Sequence, residues 1–247
     1  MISQSVFSKE IKDSIIFHIP HSSTVMIPEF FDKLDAVRNE VDIMTDTSTD
    51  EIFKVEGIKQ MIFPFSRVIC DVERFADSSK ELEGRGFNYT KTYNGKNLFK
   101  KDKITDDFVK DFFYDNWNTL MRDRIDEVLN FNDTCTIIDC HSFNESLASS
   151  KNIDICIGVD EVHTPRYLQD IVQQFFERSG YSVAINQPYS GSYVPEYFYG
   201  SKYVNSIMIE INKKLYMSSY NGVIENWGVQ KAKVSKLNSL INSLFSF

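Results

Sequence analysis

Short, almost wholly apolar runs alternate with amphipathic helical stretches along this chain, and that alternation restricts its fold more than any other feature. SIIFHI (14–19), TCTIIDC (134–140), DICIGV (154–159) and SIMIEI (206–211) read as strands covered on both faces. Between them, the segment 106–129 places Phe108, Phe112, Phe113, Trp117, Leu120, Ile125 and Leu129 at helical spacing. A second helix is expected over 165–178, closed by Gly180. Further strands are expected at 60–64, 67–72 and 181–186, and helices at 28–34, at 46–57 and in the segment after Glu225. The pattern predicts an α/β fold: a single domain over residues 1–247 with a mixed, mostly parallel central sheet and helices on both faces. In such sheets, sites gather at the carboxyl ends of the strands.

Charge and cysteine usage narrow the function classes. With 27 basic and 35 acidic residues the net charge is −8, which disfavours non-specific nucleic-acid binding. No stretch approaches the length of an apolar membrane span, so neither nucleic acid nor membrane is an expected partner. Cys70, Cys135, Cys140 and Cys156 lack CxxC spacing and lie in three apolar runs, so reduced thiols and a cytoplasmic location are expected. The polar start of the chain lacks an apolar run, so no secretory signal is expected there. Residues 76–104, rich in Gly, Asn, Lys and Tyr, read as a long surface excursion of the kind that often carries function.

The strand ends hold the polar residues that a purely structural role does not require. His21 follows the first strand and His141 the TCTIIDC strand, each followed by Ser. Two imidazoles brought to one sheet edge, with a carboxylate, suit a catalytic zinc site of three protein ligands and one open position. Asp46 is the first candidate for the acid and Asp50, one turn later, its competitor. The same placement also suits hydrogen-bonded loop histidines. Glu210 shares a strand face with Met208, so it faces either solvent or a cleft; in a cleft it is placed to move protons. Arg67 and Arg74 bracket one apolar run and are suited either to a substrate carboxylate or to ion pairs with Asp71 or Glu73. His18 is expected in the core behind the site, and His163 in solvent. Serine-hydrolase, dinucleotide and phosphate-loop motifs are absent.

Seven segments together resemble the N-formylglutamate amidohydrolase family: IPHSSTVMIPEF, TDTSTDEIF, FSRVICDVERF, IIDCHSF, DICIGVD, NQPYSGSYVPEYFYG and SIMIEINKKLYM, in the family's order. The resemblance implies a zinc carboxypeptidase-like (phosphorylase/hydrolase-like) architecture holding one Zn2+ ion. It implies His21, Asp46 and His141 as metal ligands, with Asp50 the alternative to Asp46, and Glu210 as general acid/base. Arg67 and Arg74 would bind the substrate carboxylate, Arg74 or Arg67 would steady the oxyanion, and Gly191 and Tyr193 would lie over the site. The chain departs from the family pattern in three places: Glu73 stands in place of an amide in Asp71-Val72-Glu73-Arg74, the GGY loop reads Ser190-Gly191-Ser192-Tyr193, and the RGG-type segment is only loosely echoed by Gly84-Arg85-Gly86. The implied reaction is hydrolysis of N-formyl-L-glutamate, or of a related small acidic N-acyl amino acid, to the carboxylate and the free amino acid. A zinc peptidase or peptidoglycan-type amidase on the same scaffold is the alternative, and a binding protein that has lost turnover is another.

Overall fold

The computed structural model describes residues 12–36, 38–76, 79–100, 105–144, 152–220 and 223–246. The polar start of the chain and parts of the 76–104 excursion lie outside them. The central sheet is built from β1 (Ile15–Ile19), β2 (Lys59–Ile62), β3 (Cys135–Phe143), β4 (Ile155–Gly158), β5 (Val183–Ile185) and β6 (Val204–Asn212), in spatial order β2-β1-β3-β6-β4-β5. β2, β1, β3 and β6 run parallel, whereas β4 is antiparallel to β6 and carries β5 with it. The sheet is therefore mixed and mostly parallel, as its apolar strands predict. A separate hairpin pairs β7 (Met217–Tyr220) with β8 (Val223–Val229).

Strand alternation divides the core in two. Ile15, Phe17 and Ile19 of β1, with Ile138, Ile207 and Ile209, meet α6 (Arg166–Arg178), α7 (Lys231–Leu244) and the short α3 (Thr49–Ile52). Ile16 and Ile137 point the other way, onto Ile125 and Val128 of α5 (Asp115–Leu129). Helices thus cover both faces. On the α5 side the alternate positions turn polar towards the strand ends: His18, Asp139, His141 and Glu210 occupy places that Ile residues fill on the opposite face. The chain leaves β1 for β2 on one side and leaves β3 for β4 on the other. The crevice between the ends of β1 and β3 is therefore a topological switch point.

Several expectations shift locally. The helix expected over 46–57 is only α3, because the Asp46 N–H bonds His21 O at 2.8 Å and Ser48 takes a left-handed φ of 64°, holding 46–48 out of the helix. Residues 67–72 form a buried turn rather than a strand. Val68, Ile69, Cys70 and Val72 pack in a separate, third cluster with Phe30, Phe87, Leu98 and Phe99. An apolar run signals burial, and here burial comes from the excursion folding over it rather than from strand pairing. The helix of 106–129 is α4 (Asp106–Val109), a π-helical turn at Lys110–Tyr114, and α5. The terminal helix begins only at Lys231, since 223–229 is β8, and α1 (Pro28–Phe31) is shorter than predicted. One helix, α2 (Arg38–Met44), has no counterpart in the sequence reading.

Gly158 marks where the loop after β5 crosses the sheet. A Cβ there would strike Gly191 O and the Met208 side chain. The Met208 methyl can swing aside, but Gly191 O is backbone and Met208 Cβ is fixed by β6, so neither of those can retreat cheaply. Gly158→Ala is expected to cost about 1–3 kcal/mol, as overpacking does, and to push Gly191 out of place. Thermal unfolding and kcat/KM should both fall; a variant with unaltered kcat/KM would show that the loop does not depend on this contact.

Candidate active site

Six segments converge at the switch point. His21 lies two residues past β1, and Asp139 and His141 belong to β3. Glu210 in β6 is the register partner of His141, and Cys156 in β4 flanks Glu210 on its other side. Asp46 sits between α2 and α3, tied by its backbone to His21 O. Asp71, Glu73 and Arg74 come from the buried turn. The His21 and His141 rings are 5.1 Å apart between centroids. A cleft of about 660 Å³ opens onto them. Among the predicted residues, His21, Asp46, Arg67, Arg74, His141, Gly191, Tyr193 and Glu210 all line it, whereas Asp50 does not.

The two faces of each imidazole have different surroundings. His21 Nε2 donates to Asp71 Oδ1 at 2.9 Å, and His141 Nε2 lies 2.9 Å from Glu73 Oε1 and 3.0 Å from Asp139 Oδ1. On the other face, Asp46 Oδ2 is 2.9 Å from His141 Nδ1 and 3.7 Å from His21 Nδ1. His21 Nδ1 and Glu210 Oε2 are buried without a hydrogen-bond partner. A carboxylate behind each ring, fixing its tautomer and leaving the far nitrogen free, is how metal-ligating histidines are oriented. The donor set His21 Nδ1, His141 Nδ1 and Asp46 is the mixed nitrogen–oxygen type that zinc takes, so these residues fit a divalent cation. Two triples of ligand-type atoms also fall within 4.8 Å: His21, Glu73, His141 and His18, Glu73, Asp139. Glu73 contacts the histidines through their Nε2 atoms, which Asp71 and Asp139 already engage, so the Nδ1 face is the better cation site.

Acids crowd the cleft. Asp46, Glu73, Asp139 and Glu210 line it beside His21 and His141, with Asp71 behind His21, and buried acids in such number need positive charge among them. The proton on His141 supplies part of it: burial opposes that proton, but Glu73 and Asp139 hold the imidazole well above its usual range. Burial would raise Asp46, yet His141 and His21 hold it well below the usual carboxylate range. Glu210 goes the other way. Burial pushes its carboxyl up to about 8, with Asp46, Glu73 and Asp139 adding to the rise and His141 opposing it.

The arginines divide their roles. Arg67 Nη2 donates to Asp71 Oδ2 at 2.7 Å and Tyr89 OH at 3.1 Å, so much of its fork is committed to the protein. Arg74 Nε lies 3.6 Å from Asp71 Oδ2, beyond hydrogen-bond reach, and is more exposed. Tyr193 supports the site from behind: its ring stacks on His18 at 4.2 Å and its N–H bonds Asp139 Oδ2 at 3.0 Å. His18 is fully buried and hydrogen-bonded to Asp139 at 2.9 Å, the supporting place its alternation predicts. His163 is buried rather than solvated, donating from Nδ1 to Val204 O and accepting from Gly200 N–H at Nε2. Sequence reasoning named Asp71 and Glu73 only as partners for the arginines, with Glu73 also the changed residue of a family block, and missed Asp139 and the contacts of all three with the histidines. Their placement beside DxxR and DCH motifs was the available signal.

The family model of N-formylglutamate amidohydrolases matches residues 13–217, which include every residue of this cluster. The chain belongs to the N-formylglutamate amidohydrolase family. Its fold is shared with solved structures. The N-formylglutamate amidohydrolase of Ralstonia eutropha superposes with a TM-score of 0.79 at 18% identity, covering 94% of this chain and 91% of that one. A gene product of Agrobacterium tumefaciens gives a TM-score of 0.71 at 14% identity, over 94% and 88% of the two chains. No curated protein sequence matches significantly. This N-formylglutamate amidohydrolase family member is thus an amidohydrolase of single-domain α/β architecture.

Proposed function

We propose that this family member hydrolyses the amide bond of N-formyl-L-glutamate or a related small acidic N-acyl amino acid, with one zinc ion held by His21, Asp46 and His141. The observation that carries the reading is the pair of imidazole Nδ1 atoms facing one buried Asp46 carboxylate, with Glu210 beside His141 and its Oε2 unpartnered. A bound zinc ion supplies Lewis acidity and makes water nucleophilic near neutral pH. Glu210 Oε2 takes the proton of the attacking water and returns it to the departing amine nitrogen. Arg74 holds the substrate carboxylate through the donors that Asp71 leaves free, and Arg67 keeps Asp71 ionised behind His21. Gly191 and Tyr193 close one wall and limit water. All four cysteines are buried thiols outside any disulfide, which accords with work in the cytoplasm, and no helix among the described residues is long and apolar enough to cross a membrane.

One observation favours a second reading. The cleft is in the size range of drug-sized ligands, and N-formylglutamate would leave much of it unfilled, as a peptidase or peptidoglycan-type amidase would not. The test pairs metal analysis with a substrate panel. About one zinc per chain and fastest turnover of N-formyl-L-glutamate or another acidic N-acyl amino acid are expected. Preference for peptides would shift the reading to the peptidase, and zinc-loaded protein without turnover to a binding protein. Arg74→Lys should raise KM about 10- to 100-fold for the acidic substrate with kcat little changed, as loss of a charge-assisted bidentate contact does. An equal effect on an uncharged N-acyl analogue would remove Arg74 from carboxylate binding.

A further inference from the structure

Asp46 has no regular element of its own to stand on. It follows the last turn of α2, where the helix leaves carbonyls without intrahelical partners and has no basic residue in its own last turn. Those carbonyls are answered from across the fold. Lys213, three residues beyond Glu210, is almost fully buried, and its Nζ donates to Thr45 O at 2.5 Å and Ile43 O at 3.3 Å. Tyr216, fully buried, donates its hydroxyl to Thr47 O at 2.8 Å. The two side chains therefore grip the backbone immediately before and immediately after Asp46. The turn carrying them is itself fixed: Asn212 accepts from Lys214 N–H at 3.0 Å and donates to Ile153 O at 2.7 Å.

We infer that Lys213 and Tyr216 are positioning residues that hold the Asp46 carboxylate in front of the two imidazole Nδ1 atoms, coupling the strand that carries Glu210 to the loop that carries the acidic ligand. A buried ammonium is a costly way to cap a helix, and a surface lysine at the helix end would do that task without burial. Its place is explained by what the capped carbonyls flank. The grip acts on backbone, so it fixes where Asp46 stands without touching the ion or the substrate. Asp46 shares one oxygen between His141 at 2.9 Å and His21 at 3.7 Å. A small drift of its loop therefore spoils the common point on which three ligands must meet. This inference rests on Asp46 being a metal ligand.

The test is zinc affinity, measured by competition with a chromophoric chelator on the full chain after metal removal, for Lys213→Met, Lys213→Arg, Tyr216→Phe and Asp46→Asn. Lys213→Met is expected to bind zinc about 10- to 100-fold more weakly, the range seen when groups orienting metal ligands are lost. Lys213→Arg, which keeps a charged donor, should recover most of that loss. Tyr216→Phe should weaken binding several-fold and removes only a hydroxyl, so it carries the test if Lys213→Met does not fold. Unchanged affinity in Lys213→Met or, failing that, in Tyr216→Phe, with Asp46→Asn weakened, overturns the positioning role alone. Unchanged affinity in Asp46→Asn overturns the metal assignment and the positioning role with it.

Discussion

Glu210→Gln should retain its zinc and lose about 10²- to 10⁴-fold in kcat, the contribution of a positioned general acid–base. Gln keeps the shape and one acceptor at Oε1 but cannot take the proton at the buried, unpartnered Oε2. Metal analysis and steady-state kinetics on the same sample check both halves; turnover within a few-fold of the parent would exclude the proton-transfer role. A second readout is independent of activity. After metal removal, the native carboxyl stays protonated up to about 8, while the unfolded chain ionises near 4.5. The native state binds the extra proton across that window, so the parent's stability falls as pH rises from 4.5 to about 8. Glu210→Gln lacks this loss. The two proteins should diverge in stability by a few kcal/mol, at about 1.4 kcal/mol per pH unit, with the variant more stable at the alkaline end. Binding of a dication reverses the balance by favouring the ionised acid, which is the form needed to accept a proton.

His141→Ala carries the largest expected cost to the folded protein itself. His141 lies between Asp46 on one side and Glu73 and Asp139 on the other, and those carboxylates hold its proton in place. Removing the ring leaves buried acids facing one another with no cation between them. Breaking a buried pair in this way costs about 3–5 kcal/mol. Zinc affinity should fall at the same time, so the variant should neither regain stability on adding zinc nor retain it through gel filtration. Raising the acidity should partly restore stability as the stranded carboxylates protonate. A variant of parental stability that still binds zinc would move the ligand assignment away from β3.

How much was legible beforehand follows from where each residue sits. His21, His141 and Glu210 were readable because a polar side chain at the end of a run of Ile residues has no packing reason to be there. Asp46 entered through the family resemblance and a helix-start pattern, and its place is set by one backbone bond to His21 that no local pattern encodes. Glu73 stood out in sequence only as an ion-pair partner for the arginines and as a departure from the family block; only the fold turns that segment inward and brings it to the histidines. Lys213 stands in a KK pair that looks solvated in sequence. Its burial depends on α2, a helix with no clear signature in the sequence. His163 likewise looked like a loop residue, and is buried because Gly200 and Val204 close over it. Properties set by one strand's own alternation were legible, and those set by a distant segment closing over a residue were not.

The pairing of β1 with β3 and of β3 with β6 has a kinetic meaning beyond the site. His18 and Asp139, bonded in the finished protein, are 121 residues apart in the chain, and β3 pairs with β6 across a separation of 69 residues, from Cys135 to Val204. Contacts of that span form only after large loops have closed, which makes such topologies slow to fold. Each proposed ligand comes from a different stretch, so no fragment or half-formed intermediate carries a complete set. Tight zinc uptake during refolding should therefore trail the recovery of helix signal and coincide with the final cooperative step, making the metal a reporter of completed topology rather than a nucleus for it.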